Sequence, residues 1–186
     1  QYLKEEGVRY HPDTVVLAFN KLDLSRDALS FRDAPKPRFS LQEGQLVGDN
    51  MPVPLPHEVM AAEPFRLKTL DLISLINTKT HGQVARLGQN ERLAAALIED
   101  FDRTVKSIPA QPVYFYMPVL EELKDSSTGL NREEAFLADL CKRLHSPCIQ
   151  LRPAFQKSGK ELHIEGHWSP QEHKIAAQAL APHLPR

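Results

Sequence analysis

Glu165-Gly166-His167-Trp168 is the segment whose residue types and spacing suit chemistry. An imidazole works as a general base when a carboxylate fixes its tautomer and stabilises the imidazolium that forms. A carboxylate two residues earlier on a non-helical loop reaches the ring nitrogen facing away from a substrate. The bland alternative, a surface histidine beside a solvated glutamate, fits the same spacing. A metal site built from His163, His167 and His173 does not fit. A change from loop to helix separates the three, and no cysteine or second carboxylate cluster completes a tetrahedral set.

The elements that must hold this segment alternate between short apolar runs and amphipathic stretches. Ser169, Pro170 and Glu172 form an N-cap, a first-position proline and a capping box, so a helix starts immediately after His167, with Ile175, Ala176, Ala179 and Leu180 as its packing face. Upstream, Gln1–Glu6 reads as a helix end closed by a left-handed Gly7. Thr14–Phe19 reads as a strand buried on both faces. Arg38–Leu41 and Gln45–Val47 flank Gln42-Glu43-Gly44 as a small hairpin. Met51–Pro56 is extended, and the proline-rich interval 20–64 reads as an insertion or lid. Helices follow at about Leu67–Leu87, with Gly82 as an interruption, and at about Asn90–Ser107. Pro112–Pro118 is a second buried strand, Asn131–Leu144 a helix and Cys148–Leu151 a third strand. Glu121–Asp125 reads as a solvated loop. Strands joined by helical crossovers imply an α/β fold with a parallel sheet.

Composition narrows the function classes. The 186 residues suit one domain spanning 1–186, and 41% hydrophobic with 25% charged residues is ordinary for a globular protein. A net charge of −1 sets up no global field for nucleic acid or an anionic membrane. No apolar run approaches the ~18 residues that span a bilayer. Cys141 and Cys148 make no disulfide framework and read as two reduced thiols. Neither compartment nor oligomeric state follows from the sequence.

Two motifs together carry a family resemblance. Gly7-Val8-Arg9-Tyr10-His11-Pro12-Asp13-Thr14-Val15-Val16-Leu17-Ala18-Phe19 resembles the helix-to-strand passage of SGNH/GDSL-type ester hydrolases, which leads to a Gly-x-Asn-Asp block. Gly166-His167-Trp168-Ser169-Pro170-Gln171-Glu172-His173 is similar to the closing motif of that family. The chain thus resembles the C-terminal two-thirds of a bacterial member. The resemblance implies a three-layer α/β/α, flavodoxin-like fold, no cofactor, and a small-molecule or carbohydrate ester as substrate. It makes His167 the general base and Glu165, where members usually have aspartate, its orienting acid. Asp23 matches the aspartate of the block, and Asn20, three residues earlier, donates in the oxyanion region only if the loop is re-registered.

The same resemblance exposes two departures. Leu22 stands where the family has an oxyanion-donating asparagine. No serine lies in a Gly-Asp-Ser or Gly-x-Ser-x-Gly context, so His167 has no nucleophile to activate. The expectation is therefore a fragment lacking its nucleophile and its first strand, with the sheet position beside Thr14–Phe19 unpaired. The alternative is a non-catalytic SGNH-like domain used for binding or interaction.

Overall fold

The computed structural model describes residues 1–27, 29–30, 34–55, 57–58, 83–124, 127, 129–158 and 167–184. These divide into two compact units, one formed by Gln1–Lys21 with Ile98–Arg186 and the other by Leu22–Leu97. Most of the interval 20–64 falls in the second unit.

The first unit is built on a three-stranded parallel sheet. Its strands are β1 (Thr14–Phe19), β4 (Gln111–Tyr116) and β5 (Cys148–Gln150), in the order β1-β4-β5. The register runs from Thr14 opposite Gln111 to Phe19 opposite Tyr116, and from Tyr114 opposite Cys148 to Tyr116 opposite Gln150. Parallel strands need long crossovers, and helices supply them here. The α/β class expected from the alternation is what the chain adopts.

The central strand explains the core. Side chains alternate across a strand, so Val113 and Phe115 face one way while Tyr114 and Tyr116 face the other. Val113 and Phe115 pack with Ile149, Leu151, Phe155 of helix α6 (Arg152–Lys157) and Ala176 of helix α7 (Pro170–Leu180). On the opposite face Tyr114 meets Phe101 of helix α3 (Gln83–Lys106) edge-on at 5.9 Å. Phe19 there stacks near Tyr116 at 6.2 Å and near Phe136 of helix α5 (Arg132–Leu144) at 5.9 Å. Helices thus cover both faces of β4, and all of its residues from Pro112 to Tyr116 are buried.

Three expectations need correction. Thr14–Phe19 is not buried on both faces: Phe19 is, but Val16 is 41% exposed and Ala18 is exposed too. Among the described residues β1 pairs only with β4, and the apolar cluster over Val113 and Phe115 does not extend to their register partners Val16 and Ala18. Gly7 is not a left-handed cap. The short helix α1 (Tyr2–Glu5) runs on into a 3-10 turn at Gly7–Tyr10, and His11 takes the left-handed conformation at φ 49°. A Cβ at position 7 would lie 2.9 Å from Leu3 Cδ1, the movable tip of a side chain. Finally, no break separates two helices near residue 88. The helix expected over 67–87 lies outside the described residues as far as Gly82, and from Gln83 the chain is one helix to Lys106. Beyond Gly88 its buried residues Leu93, Ala94, Ile98 and Val105 recur at helical spacing.

The second unit contains helix α2 (Asp23–Arg26) and the antiparallel hairpin of β2 (Arg38–Gln42) and β3 (Gln45–Asp49). Glu43 at φ 50° and Gly44 at φ 79° form its two-residue turn, the conformation that matches the twist of paired strands. The Arg38 guanidinium grips the Asp49 carboxylate across the open end, Nε to Oδ1 at 2.9 Å and Nη2 to Oδ2 at 2.5 Å.

Gly88 lies inside α3 with nothing within 4 Å of where a Cβ would stand. Gly88→Ala therefore removes unfolded-chain freedom without a clash and is expected to stabilise the protein by about 0.5–1 kcal/mol. Urea unfolding with an unchanged m-value and a higher midpoint checks it.

Candidate functional site

Local sequence seats His167 at a helix entrance. Ser169 is the N-cap of α7; its hydroxyl accepts from the Gln171 N–H at 3.2 Å, and the Glu172 carboxylate accepts from the Ser169 N–H at 2.8 Å. The Ser169 hydroxyl also donates to Glu172, which is fully buried. With the helix start fixed, Trp168 packs its ring edge-on against Phe155 at 5.2 Å and against His173 at 5.7 Å. His167, one residue earlier, is exposed. Glu165 lies outside the described residues, so the carboxylate partner contributes no geometry.

Asn20 follows the last residue of β1 and is half-buried in the first unit, while Asp23 opens α2 in the second. The Met117 N–H bonds the Phe19 carbonyl at 2.7 Å, extending the β1–β4 pairing to the edge of the sheet. Lys21 pairs with Glu121 at 3.6 Å, joining the loop after β1 to helix α4 (Leu120–Lys124), which follows β4. In an open parallel sheet this carboxyl edge is where ligand-binding loops gather. Asp23 pairs with Arg26 at 3.8 Å. Its neighbour Asp27 is held up at about pH 6 by burial first and by the Asp23 charge second, with Lys36 opposing.

Sequence reasoning missed the polar network at this edge. Glu134 is 0% exposed and Arg152 is 4% exposed. The guanidinium meets the carboxylate side-on, Nε to Oε1 at 2.9 Å and Nη2 to Oε2 at 2.6 Å. Arg152 also donates through Nη1 to the Ser127 carbonyl at 3.0 Å and through Nη2 to the Gly129 carbonyl. Glu134 closes a second capping box, accepting from the Asn131 N–H at 2.9 Å. Asn131 Nδ2 then donates to Glu122 Oε1 at 2.7 Å. Glu122 also accepts from the Tyr116 hydroxyl at 2.7 Å and the Val119 N–H at 2.8 Å. Burial, then this bond to Glu122, pushes the Tyr116 phenol well above its ordinary range. Glu121–Lys124 is thus a helical turn wired to the core rather than a solvated loop, and Asp125 lies outside the described residues. The signal that was available was Asn131-x-x-Glu134, a capping-box spacing.

The second unit holds a cavity of about 480 Å³ between the hairpin and α3. Phe39, Leu41 and Leu93 make it apolar, and Asn90 and Arg92 add polar groups. No helix among the described residues is long and apolar enough to cross a membrane, and no cluster of metal-ligating side chains occurs among them.

No family model, curated protein or solved structure matches the chain. The family resemblance therefore rests on its two sequence motifs.

Breaking a buried, hydrogen-bonded ion pair leaves one charge without compensation, at a cost of about 3–5 kcal/mol. Arg152→Met is expected to lose that much, and replacing Glu134 and Arg152 together by apolar residues of similar volume is expected to lose far less. Chemical denaturation of the two variants checks it; equal losses would show that the pair is not coupled.

Proposed function

We propose that these residues carry the base end of an SGNH-type ester hydrolase with a flavodoxin-like fold. It would act by serine acyl transfer on a carboxylic ester or an acetylated sugar. The observation that supports this reading is the setting of His167. It is an exposed imidazole one residue before an aromatic anchor, at the entrance of a helix with an N-terminal capping box that packs on a parallel sheet.

In this reading His167 takes the proton of a serine hydroxyl as its oxygen attacks the ester carbonyl, then returns it to the departing alcohol. Water repeats the cycle on the acyl-enzyme. Glu165 holds the far ring nitrogen, and Asn20 and Asp23 are the residues that the family resemblance assigns to the oxyanion region. The serine is proposed to come from residues outside these 186, because none of theirs has the Gly-Asp-Ser context. A non-catalytic binding domain is the second reading. It is favoured by Leu22, whose side chain cannot donate to an oxyanion, a loss worth about 2.7–4 kcal/mol in the transition state.

The test is hydrolysis of p-nitrophenyl acetate by the protein expressed from its complete reading frame. His167→Ala is expected to lower kcat by roughly 10²–10⁴-fold with unchanged melting. The 186 residues alone are expected to show no turnover above their own His167→Ala control. A complete protein inactive on esters would leave the binding domain standing. His167-dependent turnover by the 186 residues alone would contradict the proposed origin of the serine.

A further inference from the structure

The hairpin and α3 leave between them a space that their own side chains do not fill. Its volume of about 480 Å³ falls in the range of roughly 300–1,000 Å³ usual for small-ligand sites. All of its lining residues belong to the second unit.

Both elements contribute to the apolar wall. Phe39 and Leu41 are two positions apart on β2 and so share one face of the hairpin, and Leu93 on α3 is only 6% exposed. Phe39 stands opposite Gly48 in the register. A Cβ on Gly48 would lie 3.1 Å from Phe39 Cε1 and would collide with Met51 Cε. The missing side chain on β3 thus makes room for the ring, which is in place before any ligand arrives.

The polar part comes from one turn of α3. Gln89, Asn90 and Arg92 line the cavity with Leu93, and at 3.6 residues per turn Glu91 falls on the other side of the helix. Burial grades along this turn. Gln89 and Arg92 are exposed, Asn90 is half-buried and Leu93 is buried. The polar groups therefore stand at the mouth and the hydrocarbon lies deeper. Arg92 is the one charged side chain in the lining among the described residues, and no ion pair among them engages it.

From this arrangement we infer that the cavity binds a small amphipathic monocarboxylate. Its hydrocarbon body lies against Phe39, Leu41 and Leu93, and its carboxylate meets Arg92 at the mouth. A planar guanidinium matches a carboxylate with two parallel hydrogen bonds, and the Gln89 and Asn90 carboxamides are further donors. Charge selects among anions. A phosphate monoester carries about −1.5 to −2, more than one guanidinium neutralises, whereas a carboxylate carries a single charge. A neutral hydrocarbon leaves the cation unused. The inference is independent of the ester-hydrolase reading, since the ligand has no ester bond and the site uses nothing near His167.

The experiment titrates the 186-residue protein with sodium octanoate below its micelle concentration, by calorimetry, with octanamide and acetate as comparisons. Backbone amide NMR shifts locate the site. Octanoate is expected to bind saturably with a stoichiometry of about one and to shift the amides of Phe39, Leu41 and Leu93. Octanamide, which keeps the chain and loses the charge, is expected to bind roughly 10–100-fold more weakly, and Arg92→Gln is expected to lose the same factor for octanoate but not for octanamide. Acetate, which keeps the charge and loses the chain, is expected not to bind. Four results would each overturn the inference: no saturable octanoate binding, octanamide binding as tightly as octanoate, acetate competing with octanoate at equal concentration, or shifts confined to the first unit. Should Arg92→Gln not fold, the comparison of the three ligands on the unmodified sequence decides it.

Discussion

The side-on pair of Glu134 and Arg152 is the interaction on which the carboxyl edge of the sheet depends. Removing both charges from water costs several kcal/mol per ion, which an ion pair recovers only with good geometry and further hydrogen bonds. Both conditions are met. Two parallel bonds join the groups, carbonyls of Ser127 and Gly129 take further guanidinium protons, and the Asn131 N–H satisfies the carboxylate. A single buried contact thus fixes the first turn of α5, the start of α6 and the chain between α4 and α5.

That constraint reaches the candidate base through packing. Arg152 seats α6, Phe155 on α6 receives the edge of Trp168, and Trp168 is adjacent to His167. On the same side of His167, the capping box of α7 fixes the backbone at Ser169. Two contacts therefore anchor the chain that follows an exposed imidazole. A general base needs this combination, because an unheld histidine loses the orientation that makes proton transfer effective.

What was legible in the sequence was local. Ser169, Pro170 and Glu172 lie within four residues, and the capping box they announce forms as expected. The buried strand at Pro112–Tyr116 and the hairpin around Glu43-Gly44 were likewise readable from short patterns. What was not legible depends on distant partners. Glu134 and Arg152 are 18 positions apart, and nothing near either one names the other. Glu122 sits in an acidic run that looks solvated until Tyr116 and Asn131 are placed against it. The open face of β1 is invisible for the same reason, since an apolar run does not say which helices will cover it. The gap expected between a helix ending near Leu87 and another starting near Asn90 shows the converse, since one helix runs through it from Gln83 to Lys106.

The central claim is that His167 is a base held by a carboxylate. Imidazole NMR of protein labelled with ¹⁵N at histidine tests it most directly. The account predicts a hydrogen-bonded, slowly exchanging Nδ1–H on His167 that disappears in Glu165→Gln while the Trp168 and Ser169 resonances stay in place. A His167 ring in free tautomeric exchange, unaffected by Glu165→Gln, would contradict it.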